Sequence, residues 1–118
     1  MKGLEIAEYN GEGYEPTFHF KTWRVAFLNH DAKGNKEGIT YLERHNETDE
    51  VFVLLQGEAT LLIGEDPEEE VMEKNKIYVV KQAVWHSIYM TEDAKLLIIE
   101  NQDTSPENSE YMPYTYNK

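Results

Sequence analysis

The 118-residue chain carries a formal net charge of −12 and has no cysteine, which excludes disulfide bridges, thiolate metal sites and a cysteine nucleophile. Because nucleic acids and anionic membrane surfaces are bound through clusters of Lys and Arg, this charge argues against both as partners. Hydrophobic residues make up 40% of the chain, so we expect a folded protein, and its length fits one domain spanning residues 1–118.

The first residues and the apolar runs bear on localisation. Residues 1–8 lack the apolar core of a signal peptide. No apolar stretch approaches the roughly 20 residues that cross a membrane as a helix. We therefore expect a soluble, cytoplasmic protein.

The chain is punctuated like an all-β protein, with short runs of β-branched and aromatic residues between turn residues. Residues 1–16 predict a lead-in or an edge strand, residues 17–100 a barrel, and residues 101–118 an aromatic C-terminal tail. The strands predicted within the barrel lie, in chain order, at 17–28 (one or two strands), 39–42, 51–55, 58–63, 71–73, 77–80, 84–90 and 95–100. Many short, regularly spaced strands favour a sandwich or a barrel.

Three connections carry specific expectations. Gln56-Gly57 separates two apolar runs and predicts a β-hairpin over 51–63. The acidic run 65–70 predicts a solvated turn. Beyond a polar linker, residues 111–116 contain three tyrosines, which we expect to pack on the outer face of the barrel or on a partner subunit.

Four residues with metal-ligating side chains are arranged to meet, namely Glu43, His45, Glu50 and His86. Residues i and i+2 of a strand share a face, so Glu43 and His45 project together. Glu50 opens the next strand, which we expect to run beside them, and His86 arrives from a strand far downstream. Two imidazoles and two carboxylates suit Fe, Mn, Zn, Ni or Co, because no soft ligand biases the choice.

The spacing Gly38-x4-Glu43-x-His45-x4-Glu50-x6-Gly57 resembles the first motif of the cupin family, with Glu43 in place of the leading histidine. His86 falls where the single histidine of the second cupin motif belongs. That second motif is altered, since other residues replace its usual Gly, Pro, Gly and Asn: Asn75, Lys81, Ala83 and Met90. The resemblance covers about residues 38–100. It implies an antiparallel double-stranded β-helix, or jelly-roll barrel, with a divalent-metal site in its mouth.

A second alignment sets Arg44 and Asn46 at the two histidine positions of the first motif, which leaves only Glu50 and His86 as ligands. We prefer the first alignment because it keeps a ligand-capable residue at every position. Three further polar residues are expected to lie outside the site: Asp49, His19 and His30.

The resemblance admits two functions. The first is binding of a divalent metal and a small polar metabolite, such as a sugar or a carboxylic acid, with or without turnover. The alternative is a non-catalytic, metal-free barrel with a ligand-binding or structural role. In either case we expect a homodimer, because an outward-facing set on one strand is apolar: Val51, Val53 and Leu55.

Overall fold

The computed structural model describes residues 1–117, which form ten β-strands and two short 3-10 turns. The last residue of the predicted domain and tail, Lys118, lies outside the described residues. The strands are β1 Gly13–Phe20, β2 Trp23–Asn29, β3 Tyr41–His45, β4 Glu50–Gln56, β5 Ala59–Ile63, β6 Glu68–Val71, β7 Tyr78–Val80, β8 His86–Met90, β9 Lys95–Asn101 and β10 Ser109–Pro113. The 3-10 turns are Lys36–Gly38 and Pro106–Asn108.

The strands form two five-stranded antiparallel sheets. The first sheet has the order β1-β2-β9-β4-β7 and the second has the order β10-β3-β8-β5-β6. Consecutive strands often lie in opposite sheets, which is the connectivity of a jelly roll. The predicted all-β jelly-roll class is confirmed.

The core lies between the sheets and follows the two-residue period of the strands. Phe52 and Leu54 on β4 and Leu96 and Ile98 on β9 point inward and are buried. The residues between them point outward and are covered less, as the alternation of side chains along a strand requires.

The predicted hairpin over 51–63 is wrong. Strand β4 pairs with β7 and β9, whereas β5 pairs with β6 and β8, so the chain crosses from one sheet to the other between them. Gly57 makes this crossing in a left-handed conformation with φ +73°. A Cβ atom there would lie 2.7 Å from the Cα of Ala94, so a side chain has no room. The glycine is thus a crossover residue rather than a hairpin residue.

The acidic run 65–70 is only partly a turn, because Glu68 to Glu70 belong to the edge strand β6 and pair with β5. Glu69 there accepts hydrogen bonds from the Tyr89 and Tyr116 hydroxyls, at 2.6 and 3.1 Å. The tail therefore does reach the outer face of the second sheet.

The sheets extend beyond the predicted barrel limits of 17 and 100. Strand β1 already begins at Gly13, and β10, in the tail, pairs with β3 along its whole length. No helix within residues 1–117 is long and apolar enough to cross a membrane.

Candidate metal centre

Glu43, His45, Glu50 and His86 line one cavity, although they come from both sheets. Glu43 and His45 point inward from β3, and His86 lies directly opposite Glu43 on β8. Glu50 begins β4 in the first sheet, so it reaches the others across the barrel. The expectation that its strand runs beside β3 is wrong, because the two strands face each other.

Glu43 Oε1 and Glu50 Oε1 each lie within 4.0 Å of Nε2 of both histidines. His45 Nε2 lies 3.3 Å from Glu50 Oε1 and 3.9 Å from Glu43 Oε1. His86 Nε2 lies 2.9 Å from Glu50 Oε1 and 4.0 Å from Glu43 Oε1. Ligands bound at 2.0–2.2 Å to a tetrahedral ion stand about 3.4 Å apart, and the four separations lie on both sides of that value.

Hydrogen bonds to Nδ1 orient both imidazole rings so that Nε2 faces Glu50. His86 Nδ1 lies 3.0 Å from the Val84 carbonyl oxygen, which can only accept, so Nδ1 carries the proton. His45 Nδ1 lies 2.8 Å from the hydroxyl of Ser109. With Nδ1 occupied in each ring, Nε2 is the atom presented to the centre, as in many metal-ligating histidines.

The contact between His86 and Glu50 needs a proton or a metal ion between the two atoms. Neutral His86 carries a lone pair on Nε2, and it faces the lone pairs of Glu50 Oε1 across 2.9 Å. Both atoms are buried and neither takes part in a hydrogen bond within residues 1–117. Two buried acceptors repel unless a proton or a metal ion lies between them. A divalent ion would serve as that partner, and so would a second proton on His86, where burial lowers the pKa but Glu50 outweighs it and raises the pKa.

The sequence analysis missed a fifth ligand-capable residue, Glu100. It points inward near the end of β9 and is buried, and its carboxylate can share an ion with His45 and Glu50, since their ligand atoms lie within 4.8 Å of one another. Glu43, His45 and His86 form a second such group. Arg24 Nη2 lies 3.4 Å from Glu100 Oε1 and balances its charge.

The electrostatics of the site follow from burial and from these contacts. Burial raises the pKa of Glu50, but His45 and His86 outweigh it and bring the pKa down to about 2. Burial lowers the pKa of both imidazoles, yet Glu50 outweighs it, so each pKa lies above the usual 6.5. Without a metal, protons on the imidazoles supply the cationic charge beside Glu50.

The two remaining carboxyl groups have raised pKa values. Burial, followed by the charge of Glu50, raises the pKa of Glu100 to about 7. Burial raises the pKa of Glu43, against the opposite effect of the imidazoles. In both groups burial is the largest cause, because it disfavours the charged form, and the charge of Glu50 adds to it.

The residues expected outside the site do lie elsewhere. His19 is exposed on the edge strand β1, and His30 bonds to the side chain of Asn35 at 2.8 Å. Asp49 accepts hydrogen bonds from Lys81 Nζ and from the backbone N–H of Gln82, and so holds the turn before β8.

The second alignment does not describe the site. Arg44 and Asn46 both donate to Glu110 Oε1 outside the cavity, Arg44 from Nη2 at 2.8 Å and Asn46 from Nδ2 at 3.0 Å. Neither side chain lines the cavity that holds Glu50 and His86.

The cavity has a volume of about 720 Å³, in the range of sites for small metabolites. Glu50 and His86 lie in its deep part, whereas the Glu43 side chain is 33% exposed. Aromatic rings from β3 and β10 and the basic side chain of Arg24 also line it. An ion at the four ligand atoms would therefore be reachable by a small molecule.

Solved structures of other proteins share this fold. A cupin-2 domain protein from Shewanella frigidimarina is 18% identical, with 80% of this chain and 85% of that chain covered and a TM-score of 0.62. A Streptomyces PAC13 variant with uridine is 6% identical, with 91% and 84% covered and a TM-score of 0.68. WlaRA, a TDP-fucose-3,4-ketoisomerase from Campylobacter jejuni, is 15% identical, with 77% and 68% covered and a TM-score of 0.59. No family model and no curated protein matches the chain.

Proposed function

We propose that this chain, which has the cupin fold, binds a divalent metal ion through Glu43, His45, Glu50 and His86, and a small polar metabolite beside it. The observation that carries the proposal is the 2.9 Å contact between His86 Nε2 and Glu50 Oε1. The Val84 carbonyl holds the proton of Nδ1, so in neutral His86 this contact joins two buried acceptors, and a second ring proton or a metal ion must lie between them. A resident dication removes the repulsion.

The charges of the site support the same conclusion. Glu43 and Glu50 together balance a dication, which lowers the cost of burying it. The ligand set contains imidazole and carboxylate only, and therefore suits Fe, Mn, Zn, Ni or Co. When bound, such an ion acts as a Lewis acid on a ligand oxygen.

Each residue has a distinct part in this proposal. His86 and Glu50 form the deep side of the centre, and Glu43 closes it toward the cavity mouth. Glu100 lies behind Glu50, where its pKa of about 7 lets it hold or release a proton near neutral pH. Arg24 bonds to Glu100 and keeps that carboxyl group in place.

The ligand class follows from the cavity and agrees with the neighbours. A cavity of about 720 Å³ that combines carboxylates, imidazoles and Arg24 with tyrosine rings suits a polar metabolite of the sugar or carboxylic acid type. One structural neighbour was solved with uridine, and another is a TDP-fucose-3,4-ketoisomerase. Uridine and TDP-fucose each contain a sugar. The proposal leaves open whether the ligand is turned over.

Metal analysis of histidine variants tests the proposal. Protein purified without added metal and then titrated with Zn²⁺ or Co²⁺ should bind about one ion per chain. His45→Ala and His86→Ala should abolish binding. His19→Ala and His30→Ala are matched controls outside the cavity and should bind like the wild type.

Failure of the wild-type protein to bind either Zn²⁺ or Co²⁺ would favour the alternative, a metal-free ligand-binding or structural barrel. The raised imidazole pKa values support that alternative, because protons can then take the place of the ion beside Glu50. We further infer that the protein acts in the cytoplasm as a single domain; fractionation of cells that produce it tests the localisation.

A further inference from the structure

Two tyrosine rings stand at the mouth of the cavity, next to Glu43. Tyr41 lies two residues before Glu43 on β3 and so faces the same side of the strand. Tyr111 lies on β10, directly opposite Glu43 in the antiparallel register. The two rings meet edge to face, with centroids 5.4 Å apart and an interplanar angle of 84°.

These two tyrosines differ from most others in the chain. Each is 48% exposed although its ring lines the cavity. Neither hydroxyl takes part in a hydrogen bond within residues 1–117, whereas five other tyrosine hydroxyls do: those of Tyr9, Tyr14, Tyr78, Tyr89 and Tyr116. The pair thus presents aromatic surface and two open hydroxyl groups to whatever enters the cavity.

General strand geometry sets how far the two tyrosine rings lie from Glu43, and therefore which part of a bound ligand they contact. Side chains two apart on a strand are separated by about 7 Å, and directly opposed Cβ atoms by about 4.5–5.5 Å. A compound whose oxygens reach the centre beside Glu43 would place its next few atoms against the two rings. A small acyclic acid is too short to make that contact.

We propose that Tyr41 and Tyr111 form an aromatic subsite that packs against a planar ring carried next to the metal-binding oxygens of the ligand. The inference rests on the proposed function and narrows its ligand class from small polar metabolites to ring-bearing ones. Aromatic rings pack favourably edge to face or offset-stacked. Such packing raises affinity about two- to twelve-fold for each ring, in addition to the gain from burying apolar area.

A pair of matched acids tests the subsite. Mandelate and lactate share the same 2-hydroxycarboxylate head group, and they differ only in a phenyl ring against a methyl group. Each is titrated into the Co²⁺-loaded protein, and the change in the visible absorption of Co²⁺ reports binding without any assay of activity. Mandelate should bind more tightly than lactate to the wild type.

Substitutions by leucine keep the apolar bulk and remove the planar ring. Tyr41→Leu and Tyr111→Leu should each weaken mandelate binding about two- to twelve-fold while lactate binding and Co²⁺ stoichiometry stay unchanged. Tyr41→Phe and Tyr111→Phe should retain the preference for mandelate. Tyr114→Leu is the matched control, because Tyr114 lies in the same tail but does not line the cavity.

The outcomes separate the subsite from the proposed function. Equal binding of mandelate and lactate by the wild type overturns the subsite, and so does an equal loss of both acids in the leucine variants. Failure of Co²⁺ to bind, or of both acids to bind the Co²⁺-loaded wild type, overturns the proposed function and the subsite with it. The Tyr41 variants leave every side chain of β10 in place, and their Co²⁺ stoichiometry shows whether β3 still holds Glu43 and His45, so their result stands even if a Tyr111 variant loosens β10.

Discussion

Ser109 is the residue through which the C-terminal tail touches the candidate metal centre. Its hydroxyl lies 2.8 Å from His45 Nδ1, and both residues are buried. The contact fixes the rotation of the imidazole and leaves Nε2 facing the centre. At metal-ligating histidines, loss of a partner of this kind typically lowers metal affinity by about 10- to 100-fold.

We therefore expect Ser109→Ala to weaken metal binding about 10- to 100-fold. Competition with a chromophoric chelator measures the affinity, and Ser109→Thr should restore it because the hydroxyl is kept. Glu110→Gln is the control: Glu110 bonds to Arg44 and Asn46 outside the cavity, so its loss disturbs β10 without touching His45. An equal loss of affinity in Glu110→Gln would mean that Ser109 acts only by docking the strand.

Titration of the site predicts an unusual pH dependence of stability in the metal-free protein. Groups whose folded-state pKa is raised stabilise the fold below their unfolded pKa, and this contribution is lost as pH rises through the folded pKa. Glu100, with a pKa of about 7, and the two imidazoles, with raised pKa values, all belong to this class. Glu50 has the opposite sign, since its pKa falls from 4.5 to about 2 and its contribution is lost only in acid.

The free energy of unfolding of the metal-free protein should therefore decrease between pH of about 5 and about 8. Zn²⁺ at about 100 times its Kd should add about 2.7 kcal/mol at pH 8 and much less at pH 5, where protons compete for the imidazoles. Urea unfolding at several pH values measures both effects. Glu100→Gln should flatten the metal-free profile, and an unchanged profile in that variant would exclude Glu100 as a contributor.

At the level of single residues, the sequence predicts a site residue only where the strand pattern or the motif spacing marks its position. Glu43 and His45 share a face by the i, i+2 rule, and the motif spacing adds Glu50 and His86. Glu100 also has a local signal, because it follows Leu96 and Ile98 on the inward face of β9, where a buried carboxylate is unusual. Its partner Arg24 lies 76 residues away and has no such signal.

Strand β10 is the element whose role differs most from the prediction of an outer tail. It pairs with β3 over five residue pairs and supplies both Ser109 and Tyr111 to the cavity. Tyr116 packs on the outer face, against Tyr89 with ring centroids 5.6 Å apart. The polar composition of residues 101–110 predicts a linker and does not show that the chain returns to pair with β3.

Deleting residues 105–118 should lower the free energy of unfolding by at least about 2 kcal/mol, because it removes an edge strand and uncovers buried groups. The deletion should also weaken metal binding, since His45 loses its contact with Ser109. Urea unfolding and amide hydrogen exchange of β3 measure the first effect. Full stability after the deletion, together with rapid exchange of β10 in the intact chain, would show that the strand is dispensable.

The same limit explains the incorrect hairpin. Local pattern identifies β4 and β5 as strands, because both are short β-forming runs. It does not show which sheet each one joins, since that depends on pairing with β9 and β8, 23 to 48 residues downstream. These pairings define the crossover, and the close packing of Gly57 against Ala94 explains why a glycine occupies it.

At the scale of the whole molecule, the outer face of the first sheet is apolar over β2, β9, β4 and β7, and it carries the charged Glu15 on the edge strand β1, opposite Phe27. Across four strands the register aligns one β-branched row: Val25, Ile99, Val51 and Val79. A second row lies beside it: Phe27, Leu97 and Val53. Val79 and Ile99 are 45% and 37% exposed, so the surface is uncovered in a single chain. A solvated sheet face would instead alternate with polar residues.

A second copy of the chain is the occupant that this surface predicts. The chain has a net charge of −12, which opposes association, yet these two rows carry no charge. Two such faces can pack at about 10 Å as sheets do in sandwiches, which buries the rows of both subunits. We therefore expect a homodimer of twice the 13.8 kDa chain mass at micromolar concentration, as measured by light scattering.

Val51→Glu should convert this dimer to a monomer, because it places two like charges in the centre of the apolar interface at no cost to the core. Val71→Glu is the control, since Val71 is 68% exposed on β6 at the edge of the second sheet. That variant should remain dimeric. A wild-type monomer at micromolar concentration would contradict the prediction, and so would dissociation of both variants alike, because the surface responsible would then not be the outer face of the first sheet.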